Sequence, residues 1–296
     1  MKVLITGSSG FIGTALIKSL LTKEHEVAGL SRKNNETGAP YWLPECEEFD
    51  LGNFNAPDVV IHLAGESIAS GRWNAKKKER ILQSRSQGTK VLCNFLSQLD
   101  HKPHTLISGS AIGFYGDRGD ELLDETSSKG NGFLSTICKE WEEACTPAKN
   151  AGIRVVNIRT GMVLSSSGGA LQKMILPFKL GLGGVLGSGL QYMSWIALRD
   201  MVEAIEFLAT HETVRGPVNL VSPQPVTNRE FTKALGKALK RPTLFPVPAI
   251  VLRTMFGEIA NELLLSSTRV IPSKLSTGGY KFYHTDLKPT LQSLFK

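Results

Sequence analysis

The chain has 296 residues, 41% of them hydrophobic, which suffices for one large core or two coupled ones. Its 29 glycines and 14 prolines stand at separate punctuation points, which excludes a low-complexity chain. The net charge of +7, from 34 basic and 27 acidic residues, favours anionic ligands without requiring nucleic acid.

The opening MKVLITGSSGFIGTALIKSLL predicts a buried strand over 3–5, a turn carrying Gly7, Gly10 and Gly13, and a helix over 14–21. Small residues let a backbone approach a pyrophosphate. The helix start, at Phe11 and Ile12, offers free N–H groups and a partial positive charge to it. The predicted second strand, 26–30, ends at Ser31 and Arg32, where an acid would bind ribose hydroxyls. A hydroxyl and a guanidinium suit a 2′-phosphate instead, so the expected cofactor is NADP(H) rather than NAD(H).

PDVVIHLAG at 57–65 predicts a strand over 59–63. Leu63, Ala64 and Gly65 then lie at its C-terminal end, where ligands sit in open parallel sheets. His62 falls inside that strand and reads as a satisfied core histidine. One helix is expected over 75–99, with the basic run KKKER as a solvated face. Arg85 either reaches cofactor phosphate or ribose or forms an ordinary surface ion pair. HTLISGSAIGFYG at 104–116 predicts a strand with Ser108 and Ser110 near its C-terminal end. FLSTICKEWEEA at 133–144 predicts an amphipathic helix, and 153–158 another strand, followed by RTGMVLSSSGGAL with Val163. From about 165 the chain turns glycine-punctuated and Leu/Pro-rich. A strand over 216–221 is expected to return to the sheet. Thr227 or Asn228 should cap a helix to 239. Two short apolar helices are expected over 249–256 and 258–265.

The cysteines, at 46, 93, 138 and 145, form no CxxC pair and match no zinc spacing. They read as buried free thiols, and no metal is expected. No signal peptide is expected before Val3, and no apolar stretch reaches a membrane span. The expectations are therefore a cytoplasmic protein with neither membrane nor nucleic acid as partner.

TGSSGFIG at 6–13, HLAG at 62–65 and SGSAIGFYG at 108–116 resemble the extended short-chain dehydrogenase/reductase family of nucleotide-sugar epimerases and dehydratases. FLSTICKEWE at 133–142, RTGMVLSSSGGAL at 159–171 and LPFKLGLGGVLGSGLQYMSWI at 176–196 are similar to an epimerase-like branch of it without a settled substrate. The resemblance implies an α/β fold: a Rossmann-type doubly wound parallel sheet with a smaller C-terminal substrate-side lobe. The nucleotide domain is expected at 1–165, with 190–222 returning to it. The lobe is expected at 166–189 and 223–296, with a small-molecule substrate in the cleft between them. The resemblance leaves a homodimer open.

For catalysis the resemblance implies a hydroxyl residue after the central strand, matched by Ser110, and a tyrosine and lysine four residues apart. Lys139 stands at the lysine position, but Ser135 stands where the tyrosine belongs. A phenol titrates near 10 and is lowered by a neighbouring cation. A serine hydroxyl cannot replace it as a simple acid and at most relays a proton or holds a water. Tyr115 and Tyr192 are the other candidate donors. Lys139 either orients ribose hydroxyls or is an exposed helix lysine. Ala197 replaces a histidine common in related sequences, and Asp200 reads as a helix cap. Arg159, Arg241 and Arg269 are candidate anion contacts. The implied activity is NADP(H)-dependent hydride transfer on a carbonyl or secondary alcohol, as an oxidoreductase or epimerase, on a sugar-like or nucleotide-linked substrate. The alternative is a catalytically silent NADP(H)-binding sensor or scaffold.

Overall fold

The computed structural model describes residues 1–31 and 38–295. Arg32 lies outside the described residues. The chain begins with β1 (Lys2–Thr6), α1 (Phe11–Thr22), β2 (Glu26–Gly29), the hairpin β3 (Tyr41–Leu43) and β4 (Glu48–Asp50), and β5 (Val59–His62). Next come α2 (Ala75–Gln83), α3 (Ser86–Gln98), β6 (Thr105–Ala111), β7 (Leu122–Leu123), α4 (Phe133–Glu143), α5 (Thr146–Asn150), β8 (Arg154–Thr160), β9 (Met162–Leu164) and α6 (Gly169–Lys179). The remainder is β10 (Tyr192–Met193), β11 (Trp195–Ala197), α7 (Leu198–Thr210), β12 (Gly216–Leu220), β13 (Val226–Thr227), α8 (Asn228–Ala238), α9 (Ala249–Phe256), β14 (Arg269–Val270), α10 (Ser273–Thr277) and α11 (Leu287–Leu294).

Six strands form one parallel sheet in the order β12-β8-β6-β5-β1-β2. The strands read as near-continuous apolar runs because both faces are covered. On one face Val3, Ile5, Ile61 and Ile158 pack with Leu16 and Leu20 of α1 and Met201 and Ile205 of α7. On the other, Leu4, Val60 and Leu106 pack with Leu92, Leu96 and Ala148 of α3 and α5. The strand order reverses between β1 and β5, so a ligand crevice opens at their C-terminal ends. This is the expected Rossmann-type α/β architecture. Among the described residues, no helix is long and apolar enough to cross a membrane.

Two expectations change. The helix predicted over 75–99 is two helices, broken at Ser84 and Arg85, where the Arg85 side chain turns inward rather than forming a surface ion pair. Asp200 does not cap α7, whose N-cap is Ala197. It is fully buried, and its carboxylate accepts the N–H groups of Tyr283 and His284 and meets His284 Nδ1 at 2.8 Å. The residue ties the C-terminal tail to α7. Thr227, by contrast, caps α8 as expected, in a reciprocal box with Glu230.

Candidate active site

The first turn places its glycines for different reasons. Gly7 sits at φ +68, and a Cβ on it would come within 2.8 Å of the Leu63 carbonyl carbon and 2.9 Å of Ala64 N. A Cβ on Gly13 would lie 2.3 Å from Gly7 O, so only glycine lets α1 pack this close to the turn. Gly10 is different: its φ is −76, and the one neighbour a Cβ would meet is Gly7 O at 3.1 Å. The start of α1 has no side-chain cap and no acid in its first turn. Its N–H groups at Phe11 and Ile12 therefore keep their anion-binding capacity. The Phe11 ring lies against Gly168 and Gly169 at the start of α6. Ser8 packs on Gly29 at the end of β2, just before Ser31, which forms a bridge with Tyr41.

Beside this turn, Ala64 N–H donates to Thr6 Oγ1 at 3.1 Å. His62 is fully buried, with Nδ1 2.6 Å from Thr6 Oγ1 and Nε2 2.9 Å from Thr89 Oγ1. Burial first, and the Arg85 charge second, pull its pKa down to about 3. The ring is a neutral strut between β1, β5 and α3. Its proton linkage has a definite sign. In the unfolded chain it titrates near 6.5, so its contribution is intact above that pH and is lost progressively as pH falls toward 3. The stability gap between the parent and His62→Gln should therefore narrow by about 2 kcal/mol between pH 6.5 and 5, measured by urea melts. A constant gap would mean that the ring protonates freely in the fold.

Arg85 closes the same end of the crevice. Its Nη1 donates to Glu66 O at 2.9 Å and Ile81 O at 3.2 Å, and its guanidinium lies 4.9 Å from the Trp141 ring. A Cβ on Gly65 would come within 3.2 Å of its Cζ. Burial lowers its pKa.

Of the sequence-predicted catalytic residues, Ser110 and Tyr115 are linked through Glu142 and Arg159, whereas Ser135 and Lys139 are engaged elsewhere. Ser110 lies at the C-terminal end of β6 and donates to Glu142 Oε1 at 2.8 Å. Ser135 is fully buried, with Oγ 2.7 Å from Phe114 O and 2.8 Å from Gly130 O. It clamps the 3-10 turn at Ile112–Tyr115 against α4. The Lys139 side chain is 53% exposed and pairs with Glu143 at 3.2 Å along the helix surface. α4 instead presents Leu134, Ile137, Cys138 and Trp141 inward, a spacing of three or four residues that marks one helix face. A Cβ on Gly113 would meet Leu134, and one on Gly109 would meet Trp141. Lys139 falls outside that face. Cys138 is buried, and its thiol is pushed up to about 11 by burial and by Glu142.

Glu142, which the sequence reading passed over, is the centre of a buried network. Arg159 donates to its two oxygens from Nε and Nη2, both at 2.8 Å. Arg159 Nη1 donates to the Tyr115 hydroxyl at 3.0 Å, and that hydroxyl donates to Asn219 Oδ1 at 2.7 Å. Tyr115 is fully buried, and burial raises its pKa to about 12. Arg159 is thus committed within the protein rather than aimed at an anion. A second unforeseen contact comes from Glu262, whose carboxylate accepts the N–H groups of Phe133 and Leu134 and caps α4 from a distant segment. Val163, in β9, pairs with Ile196 of β11 beside the crevice. Tyr192 stacks under Arg269 at 4.8 Å. Among the described residues, no cluster of three or more His, Cys, Asp or Glu could hold a metal.

The family model described as the NAD dependent epimerase/dehydratase family matches residues 3–220, and a domain of unknown function matches 247–294. The chain is 44% identical over 290 residues to the epimerase family protein Mb2239 of Mycobacterium bovis, covering 98% of this chain and 96% of that one. Its fold superposes on the crystal structure of human epimerase family protein SDR39U1 with NADPH at a TM-score of 0.87. Identity there is 31%, over 100% of this chain and 99% of that one. A nucleoside-diphosphate sugar epimerase from Corynebacterium glutamicum gives a TM-score of 0.82 at 36% identity, over 100% of this chain and 58% of the longer one. The chain belongs to the NAD dependent epimerase/dehydratase family.

Proposed function

We propose that the chain is an NADP(H)-dependent enzyme transferring hydride to or from a carbonyl or secondary alcohol of a small molecule, sugar-like or nucleotide-linked. The observation that carries this reading is the turn after β1. Its backbone is packed too tightly for side chains at Gly7 and Gly13 and is crowded at Gly10 by Gly7 O alone, before a helix start with free N–H groups. That cradle fits a pyrophosphate. The whole-chain likeness to a human protein solved with NADPH supports it. The nicotinamide ring of the bound cofactor supplies the hydride acceptor or donor.

The chain's own residues bind and orient. Gly7, Gly10 and Gly13 admit the pyrophosphate to the N–H groups of Phe11 and Ile12. Leu63, Ala64, Gly65 and Arg85 line the end of β5, and Val163 closes the opposite wall. Ser31 and Arg32 hold the 2′-phosphate. The substrate lies between this domain and the lobe at 166–189 and 223–296. Ser110, held by Glu142, positions the reacting oxygen. Tyr115 and Lys139 are engaged elsewhere, so the proton is relayed through water rather than given by either side chain. That same shortage of an ionisable donor favours a second reading, a catalytically silent NADP(H) sensor. Turnover of any carbonyl substrate, followed at 340 nm, separates the two.

Cofactor choice tests the binding claim by titration calorimetry. NADPH should bind at least roughly tenfold more tightly than NADH, a difference of about 1.4 kcal/mol. Arg32→Ala should remove that advantage and leave NADH nearly unchanged. Equal affinities in the parent would defeat the assignment of Ser31 and Arg32.

A further inference from the structure

The large apolar side chains that stand exposed are concentrated on the segments 176–190 and 244–263. Leu180, Leu182, Leu244, Phe245, Ile250 and Met255 are each more than half exposed, and Leu244 reaches 74%. Backbone hydrogen bonds hold the two segments side by side: Val247 N–H donates to Val185 O at 2.8 Å and Gly187 N–H to Val247 O at 2.9 Å. Just before the second segment, the Arg241 side chain donates from Nε to Lys179 O at 3.0 Å. Single exposed leucines are ordinary on a protein, whereas a contiguous apolar face marks an interaction site.

The charge around the exposed tips is mostly basic; the two acids of these segments, Glu258 and Glu262, are engaged by Lys78 and by the N–H groups of Phe133 and Leu134. No Asp or Glu occurs over 144–199 or over 231–257. Lys179 and Arg253 on the two segments, and Lys240 and Arg241 just before the second, are exposed. Among the described residues none of the four enters an ion pair. The side chains of Arg241 and Arg253 bond to a carbonyl and an amide oxygen and keep their charge uncompensated. A second copy of the chain on this face would set one basic rim against another, which is repulsive. The complementary surface is anionic and accepts apolar tips from several elements at once.

We propose that this face docks on an anionic lipid surface. The apolar tips enter the boundary between headgroups and acyl chains, and the four cations rest on the headgroups. Peripheral docking of this kind needs no spanning helix. The face also adjoins the candidate site. Arg72, in the loop after β5, donates to the carbonyls of Thr254 and Met255, and Lys173 donates to Ala69 O at 3.1 Å.

Flotation of the purified full-length chain with vesicles tests this. It should rise with vesicles of mixed phosphatidylglycerol and phosphatidylcholine, stay down with phosphatidylcholine alone, and be released by high salt. Leu244→Asp/Phe245→Asp should abolish flotation. Lys179→Glu/Arg241→Glu should weaken it by roughly fivefold or more per charge. Thermal melts check folding, and if one pair of substitutions lowers the melt, the other pair decides. Three results would each overturn the proposal. They are equal flotation with neutral vesicles, unchanged flotation in a well-folded variant pair, and no flotation by the parent, which would leave the face to an acidic protein or a second copy.

Discussion

Removing the Glu142 carboxylate should cost about 3–5 kcal/mol of stability, the usual penalty for stranding a buried charge. Arg159 is 3% exposed and gives Nε and Nη2 to Glu142. With Glu142→Ala the guanidinium keeps only the Tyr115 hydroxyl on Nη1 and the Phe114 ring 3.4 Å away. Neither offsets a full charge on a side chain that is 4% exposed. Ser110 loses its acceptor in the same step, so substrate positioning should fail along with stability. The double variant Glu142→Leu/Arg159→Met removes both charges and should recover most of the stability but not the activity. Urea melts of the three proteins measure this. A loss below about 1 kcal/mol in Glu142→Ala would show that Arg159 finds solvent, as a surface pair would.

Gly7→Ala should be comparably damaging, at about 2–6 kcal/mol, from two additive causes. A positive φ costs an L-residue about 1–3 kcal/mol, and overpacking a rigid neighbour costs about 1–3 more. The neighbours here are backbone atoms of Leu63 and Ala64, which cannot swing aside. Gly10→Val is the informative contrast. Its backbone is extended, at φ −76 and ψ 169, and only Gly7 O crowds it. It should keep stability to within about 1 kcal/mol while weakening NADPH and NADH alike by roughly tenfold or more, through loss of room for the pyrophosphate. Denaturation and calorimetry on the same pair of variants separate a glycine required by the fold from one required by the ligand.

The sheet was legible because its strands are short apolar runs with no competing helical period, and because Gly7, Gly10 and Gly13 sit between a strand and a helix. The site was harder to read for a specific reason. Lys139 was placed by counting from a family pattern, whereas the helix itself carries the answer. Leu134, Ile137, Cys138 and Trp141 recur at helical spacing and mark the buried face, which leaves Lys139 on the other side. The available signal for the network was spacing: Glu142 stands four residues after Cys138 and seven after Ser135, both buried, which puts its side chain on their side of the helix. That Tyr115 bonds Asn219, or that Glu262 caps α4, could not be read from sequence. Each joins residues more than a hundred positions apart, and only the folded topology brings them together.

The most direct test of the site is a crystal structure of the NADPH complex. The account predicts the pyrophosphate within hydrogen-bond reach of the Phe11 and Ile12 N–H groups, over Gly10. The nicotinamide ring should lie near the ends of β5 and β6, facing Ser110 and the Leu134–Cys138 side of α4, with Lys139 still paired to Glu143. A pyrophosphate bound away from the Gly10 turn, or Lys139 swung onto the ribose with Ser135 released from Phe114 O, would contradict it.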